Sequence, residues 1–375
     1  MPVNSLSARP RETVSHGRAS TAHRATNSPR SVILVGAGRR GLSAHLPALD
    51  ACGYLRLTGI IDTKERIAQL KEIPALTVPM YDSLNPVLVS PRPDLAIVAT
   101  PHDSHVPLAE ELLRARVPTL LEKPPARSAP ELATLLRLSQ DLQTPLATSV
   151  PLHYKDHHRR FIRLLRSPGL TDAEVSIRAS VPSWQGTDSW RLSRERAGGG
   201  VLIDLGYHYL ELLIACLGAP DGKSVLLTRA AETRCEVEGE ARVSLWFAER
   251  RLQVQLRLFS GTEACKGSEL SITREGAVLY QSSEGGPARA TPRREREHGP
   301  LPPTPAAAQL KGLVMSGFLD GQSDWYRALR RQHTVMLLLD DLYAGAEHMA
   351  CLPGTAPAGH DLSGGPDGLR ERTLA

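Results

Sequence analysis

Cysteine is scarce in this sequence and never falls into a pattern. Cys52, Cys216, Cys235, Cys265 and Cys351 are odd in number, widely scattered, and form no C-x-x-C pair. That excludes a disulfide framework and a thiolate zinc site, and it sets the expectation of a reducing, cytoplasmic setting. Aromatic residues reach only 4%, too few for a surface that stacks bases. No uninterrupted apolar run approaches the roughly 18 residues of a membrane span, so none is expected. A basic face is missing as well. The net charge of +5 comes from residues 1–30, which hold five arginines against the single acid Glu12, while the rest of the chain is nearly neutral. Nucleic-acid binding needs its positive charge clustered on the folded part and is not expected.

What the sequence has is enough apolar material for more than one core: 375 residues, 41% of them hydrophobic, which suggests two domains. Residues 1–30 are rich in Ser, Thr, Arg and Ala without periodicity, the composition of a disordered tail. An Arg-rich, acid-poor leader also fits a transit peptide, but large apolar residues for an amphipathic face are almost absent.

Order is expected from Ser31. The run SVILV is short and β-branched, as a central parallel strand buried on both faces should be. It passes directly into Gly36-Ala37-Gly38-Arg39-Arg40-Gly41, a G-x-G-x-x-G turn. The chemistry of that turn needs Gly36 for the tight bend, Gly38 for close approach of a pyrophosphate, and Gly41 for packing helix on strand. A helix-like segment follows (42–51), then a strand (55–61) ending in Asp62, about 20 residues past the glycines. A carboxylate there accepts from a ribose 2′-hydroxyl and favours NAD over NADP, although Thr63, Lys64, Arg39 and Arg40 lie close enough in sequence to blur the preference. Helices and strands then alternate to about residue 150, the pattern of a doubly wound parallel sheet. Two strand exits carry ionisable residues: Thr100-Pro101-His102-Asp103-Ser104-His105, and Glu122-Lys123-Pro124-Pro125. In open parallel sheets ligands bind at such exits, though proline punctuation, a Ser104 helix cap and a solvated Glu122/Lys123 pair would explain the same residues.

The stretch AGGGVLIDLGYHYLELL, residues 197–213, is an apolar helix with only Asp204, His208 and Glu211 ionisable. Spacings of four and three put them on one face. On a buried helix such a stripe is paired internally or faces a cleft, because burying unpaired charge is costly; an amphipathic helix with a solvated side is the alternative.

Together, GAGRRG, ATPHDSH, EKPP and GGGVLIDLGYH make the chain resemble the Gfo/Idh/MocA family of NAD(P)-dependent oxidoreductases, clearly over 31–218 and in outline to about 349. The resemblance implies an α/β chain. Its N-terminal Rossmann domain (31–150) holds a doubly wound parallel sheet. A substrate-binding and oligomerisation domain (151–349) with a large, mostly antiparallel sheet follows. It makes Lys123, Asp204 and His208 the catalytic group, places Thr100, Pro101, His105 and Glu122 beside the cofactor, and makes the Lys123–Pro124 bond cis. Physical chemistry agrees on the roles. Oxidising a secondary alcohol leaves a proton, which an imidazole near neutrality can take; Asp204 would orient His208, and Lys123 would stabilise developing alkoxide charge. The division of acid/base work between Lys123 and His208 stays open.

Tyr154, Trp190 and Arg191 are candidate substrate residues. The element around His153, Tyr154, Lys155, His157 and His158 departs from the Asn-Arg type found in many relatives, and its histidines lack the acidic partners of a metal site, so no metal is expected. Residues 242–248 and 252–259 alternate as a half-buried hairpin, whose other face, with Arg242, Trp246, Gln253, Gln255 and Arg257, suits a mixed homo-oligomer interface. A mobile insertion is expected at 281–305, helix over 324–349, and a Gly/Pro-rich tail at 350–375. The expected function is hydride transfer between NAD, with NADP possible, and a secondary hydroxyl or keto carbon of a sugar, nucleotide sugar or cyclitol. The alternatives are a non-catalytic NAD(P)-binding regulator, and an enzyme that uses NAD transiently in glycoside cleavage or elimination.

Overall fold

The run SVILV forms most of β1 (Arg30–Val35) in the computed structural model, which describes residues 28–74, 76–89, 91–182, 190–229, 239–261, 264–285 and 304–350. Around it lie β2 (Leu55–Ile61), β3 (Met80–Tyr81), β4 (Leu95–Val98), β5 (Thr119–Leu121) and β6 (Leu146–Thr148). They make one parallel sheet in the order β3-β2-β1-β4-β5-β6. Val32, Leu34, Leu95, Ile97 and Val98 have no exposed surface, which explains why these strands read as unbroken apolar runs. The order reverses between β1 and β4, and the loops leaving these two strands frame a crevice. β1 begins one residue before the position expected. Arg30 is held by Asp94 Oδ1 at 3.0 Å and Asp320 Oδ1 at 2.7 Å, partners too distant in sequence to be foreseen.

The second sheet contains β7 (Ala173–Pro182), β8 (Gly222–Arg229), β9 (Gly239–Phe247), β10 (Leu252–Gly261), β11 (Gly267–Arg274), β12 (Ala277–Gly285) and β13 (Glu347–Ala350), ordered β12-β11-β7-β10-β9-β8-β13. It is mixed: β7 with β10 and β8 with β13 are parallel, and the remaining pairs antiparallel. The expected hairpin is β9–β10. Val243, Leu245, Phe247, Leu252, Val254, Leu256 and Leu258 point into the core, each such burial contributing roughly 1.5–3 kcal/mol. The opposite face carries Arg242, Trp246, Gln253, Gln255 and Arg257 among other polar groups, with Trp246 39% exposed.

The helix Tyr207–Leu217 lies in this core. Arg194–Leu217 is apolar enough by length and composition to cross a membrane, but two-thirds of its most apolar window is buried inside the protein, so it is a core helix. The glycines before it serve packing. A Cβ on Gly198 would lie 3.0 Å from Arg127 Cβ, and one on Gly199 would run into the Tyr343 hydroxyl. That hydroxyl accepts from the amides of Gly200 and Ile203, both at 3.2 Å, satisfying donors that a helix start leaves free.

Three expectations need correction. First, the division at 150 holds for the two sheets but not for everything after it. The helix Pro305–Met315 and the segment beyond it return to the first domain, where Ala307, Leu310, Phe318 and Trp325 share a core with Val32 and Leu34. Second, residues 281–285 are not loop, because β12 pairs with β11 out to Gly285; a helix capped by the Thr304 side chain begins at Pro305. Residues 286–303, the rest of the expected insertion, lie outside the described residues, as do 1–27 and 351–375. Third, the C-terminal helix stops at Ala344, and β13 joins the sheet beside β8.

Candidate active site

The glycine turn is shaped as its sequence requires. Gly36 sits at φ +90°, and a Cβ there would come within 2.7 Å of Thr100 Cγ2. Gly38 is different: a Cβ on it would meet nothing within 4 Å, so this backbone borders open space of the kind a pyrophosphate fills. A Cβ on Gly41 would strike the Gly36 carbonyl oxygen. Asp62, at the end of β2, accepts from the amides of Ala37 and Thr63 at 2.7 Å each. Its carboxylate is thus fixed beneath the turn, while Arg66 donates through Nε and Nη2 to the Ala37 carbonyl.

At the β4 exit the helix begins at His102 with Pro101 as its N-cap, so Ser104 is not the cap. Its hydroxyl instead bonds back to Thr100 Oγ1 and the Pro101 carbonyl, 2.8 Å each. His105, expected beside the cofactor, has no exposed surface. Its Nδ1 lies 2.9 Å from the Pro124 carbonyl and its Nε2 2.9 Å from the Thr100 carbonyl. It sits at the junction of the two strand exits, where its single N–H can serve one of these two carbonyls.

Glu122 is likewise buried, at 5% exposure. Its Oε1 accepts from His45 Nε2 at 2.6 Å and Arg40 Nε at 3.1 Å, and its Oε2 from the Lys123 amide at 3.3 Å. Burial alone would raise its pKa, but His45, then Arg40 and Lys123, outweigh burial and hold it ionised well below the usual carboxylate range. Glu122 is therefore fixed beside the Lys123 main chain by His45 and Arg40. The Lys123–Pro124 bond is cis, as expected.

Lys123 and Asp204 meet. The ammonium is 2.5 Å from the Asp204 carbonyl oxygen and 2.6 Å from Oδ1, with 14% and 23% of the two side chains exposed. Arg191 Nε is 3.8 Å from Oδ2. Burial would raise the Asp204 pKa, yet Lys123, helped by Arg191, holds the carboxyl well below its ordinary value. Asp204 occupies a π turn (Leu202–Gly206) that precedes the helix Tyr207–Leu217, a distortion often found where a helix carries function. His208 is half-buried and forms no hydrogen bond among the described residues. Burial, followed by the Lys123 and Arg40 charges, pushes its imidazole well below the usual histidine value, which keeps it neutral near pH 7. The expected pairing of Asp204 with His208 does not form, because Lys123 takes the carboxylate. Glu211 leaves the stripe altogether, turning to His153, Gln332 and Arg331.

Trp190 and Arg191 do reach the site. The Arg191 guanidinium lies 4.1 Å from the Trp190 ring centre, and His102 meets that ring edge-on at 4.4 Å. Arg191, His102, Gly199, Gly200, Asp204 and Ser260 help line a small pocket next to Asp204. Tyr154 is not brought to the Lys123–Asp204 pair; its hydroxyl lies toward Gly312, and burial, then Glu211, raises its pKa. Sequence reading missed His45. Its one signal is a histidine on the buried side of the first helix, and its partner Glu122 is 77 positions away.

The arrangement offers open space beside Gly38 of the glycine turn, a carboxylate fixed at the end of β2, an ammonium with one donor to spare and a neutral imidazole. Residues 30–148 match the NAD-binding Rossmann fold of the GFO/IDH/MocA oxidoreductase family, and residues 171–273 match the C-terminal domain of the same family. Together these span more than half of the chain. A D-glucoside 3-dehydrogenase of Escherichia coli is 28% identical over 53% of this chain and 57% of its own length. A putative UDP-kanosamine synthase oxidoreductase subunit of Amycolatopsis mediterranei is 31% identical over 49% and 51%. The chain thus aligns with only about half the length of these curated relatives. Among solved structures, a 3-ketoreductase from Actinomadura kijaniata in complex with NADP and TDP-benzene superposes with a TM-score of 0.67, at 17% identity over 87% of this chain and all of that one.

Proposed function

The chain belongs to the GFO/IDH/MocA family of oxidoreductases, and from that premise we propose that it transfers a hydride between NAD(P) and a secondary hydroxyl or keto carbon of a sugar, nucleotide sugar or cyclitol. The observation that carries this reading is the convergence of Lys123, Asp204 and a neutral His208 beside a glycine turn shaped for a dinucleotide. The curated glucoside dehydrogenase and the structurally similar ketoreductase are both named for the sugar 3-position, which makes that carbon the first to test.

The residues present fit a nicotinamide dinucleotide. Gly36, Gly38 and Gly41 would hold the pyrophosphate against the following helix, and Asp62 would accept from the adenosine ribose. The bound nicotinamide supplies the hydride acceptor. In the oxidation direction the substrate C–H bond breaks with its electron pair leaving as hydride, and the O–H proton passes to His208. The Lys123 ammonium keeps two of its donors on Asp204 and offers the third to the substrate oxygen, where it stabilises the alkoxide charge that grows as the proton leaves. Asp204 fixes the direction of that ammonium and balances its charge. Arg191, stacked on Trp190 above the cavity, is placed to donate to substrate hydroxyls. We also propose that the exposed face of the second sheet, with Trp246, Arg242 and Arg257, is where copies of the chain associate.

Purified protein with NAD or NADP, screened at 340 nm against glycosides, nucleotide sugars and cyclitols, tests the proposal. Substrate-dependent reduction supports it. Product formed without net reduced cofactor points to transient use of NAD, and tight cofactor binding without any product points to a regulator.

A further inference from the structure

His45 closes the π turn Gly41–His45 that opens the first helix, and its side chain is 2% exposed. Its Nε2 lies 2.6 Å from Glu122 Oε1, and its Nδ1 is buried without a hydrogen-bond partner among the described residues. Glu122 therefore accounts for all the polar contact of this ring. Arg40, the fifth residue of the glycine turn, shares Oε1 at 3.1 Å, and the other carboxylate oxygen receives the Lys123 main-chain amide at 3.3 Å. On the far side of the lysine, His105 Nδ1 sits 2.9 Å from the Pro124 carbonyl. Two buried imidazoles thus grip the backbone on either side of Lys123. One grips through the Glu122 carboxylate and one through a carbonyl. Beyond them the ammonium finds Asp204, which the second domain supplies.

We propose that His45 is a positioning residue: by fixing the Glu122 carboxylate it sets the main chain of Lys123, so that the ammonium meets Asp204 and the reacting oxygen. The inference rests on the oxidoreductase reading for its kinetic consequence but not for its geometry. His45 reaches neither substrate nor cofactor and acts through Glu122. Because the donor comes from the helix that starts at the glycine turn, the same contact ties the place where the dinucleotide is held to the place where the proton is handled. A general contribution to stability would also follow from a buried His–Glu pair, so the test must read Lys123 itself.

His45→Gln places an amide nitrogen near the position of Nε2, whereas His45→Asn is too short to reach Glu122; both are polar and similar in bulk. Acetylation by acetic anhydride, followed by mass spectrometry, reports the reactivity of Lys123 relative to the exposed Lys64, whose side chain is 80% accessible. Expected is Lys123 acetylation several-fold faster in His45→Asn than in the wild type, with His45→Gln close to wild type and Lys64 unchanged. In turnover, kcat should fall on the order of tenfold to a hundredfold in His45→Asn and much less in His45→Gln. When Lys123 is already alanine, His45→Asn should cost nothing more, since residues acting through one group are non-additive. Unchanged Lys123 acetylation in His45→Asn, or an equal fractional loss of kcat with and without Lys123, would overturn the proposal. If the wild type turns over nothing, the oxidoreductase reading fails instead, and the acetylation result still decides the role of His45.

Discussion

The Lys123 ammonium donates to both the main-chain carbonyl and the carboxylate of Asp204, at 2.5 and 2.6 Å. One residue of the second domain thus fixes the functional group of a loop in the first. The pair is the joint between the Rossmann sheet and the helical segment that carries Asp204 and His208.

Asp204→Asn keeps the shape and removes the charge. Lys123 then loses its ionic partner and Arg191 its counter-charge, and a misplaced donor is expensive in the transition state. Turnover should drop about a hundredfold with the cofactor dissociation constant little changed. A drop confined to KM would place Asp204 in substrate binding alone.

On the proposed reading, Asp62 is the residue expected to govern the choice between the two dinucleotides. Its carboxylate is pinned by the Ala37 and Thr63 amides, so it cannot swing away from a 2′-phosphate. Asp62→Ala should raise KM for NAD and lower it for NADP, shifting the NAD/NADP ratio of kcat/KM on the order of tenfold or more. Because the variant also loosens the glycine turn, the ratio is the readout rather than either value alone. A ratio equal to that of the wild type would remove Asp62 from cofactor selection.

Acid sensitivity should trace in part to His158, on the helix Asp156–Arg166. The ring is fully buried, and both nitrogens lack a hydrogen-bond partner among the described residues. Burial, then the His157 and Lys155 charges, lowers its pKa to about 3. In the unfolded chain it protonates near pH 6.5. The unfolded state therefore binds the extra proton between these values, and stability present above pH 6.5 is lost as pH falls toward 3, by about 1.4 kcal/mol per pH unit for this one proton. His158→Leu should flatten the slope of unfolding free energy against pH by that amount while leaving kcat near the wild-type value. Parallel slopes for the two proteins would contradict this.

The parts of the fold that could be read in advance are those whose signal is local. The β1–glycine turn–helix unit announces itself in ten residues, and the β9–β10 hairpin shows its buried face through strict alternation. β13 could not be read, since it is a strand only by virtue of β8, more than a hundred residues earlier. The return of Phe318 and Trp325 to the first core depends on contacts of the same kind. At the site, Lys123, Asp204 and His208 were legible as residues but not as partners. Helical spacing put Asp204 under His208, whereas the π turn at Leu202–Gly206 and the long-range pull of Lys123 gave the carboxylate to the lysine. His105 and Glu122 were legible as important, whereas their burial and their partners at the Pro124 carbonyl and at His45 were not, because burial is not written in a motif. His45 has no motif at all in this reading; only the folded chain joins it to Glu122.

The central claim is that Lys123 and His208 act on the reacting oxygen while the glycine turn holds the cofactor, and turnover of Lys123→Ala and His208→Ala measured beside their cofactor affinity tests it most directly. The account predicts kcat lower by about a hundredfold to ten-thousandfold in each, with the dissociation constant for NAD(H) within a few-fold of wild type. Unchanged turnover in both variants, or a loss of activity that tracks a loss of cofactor binding, would contradict it.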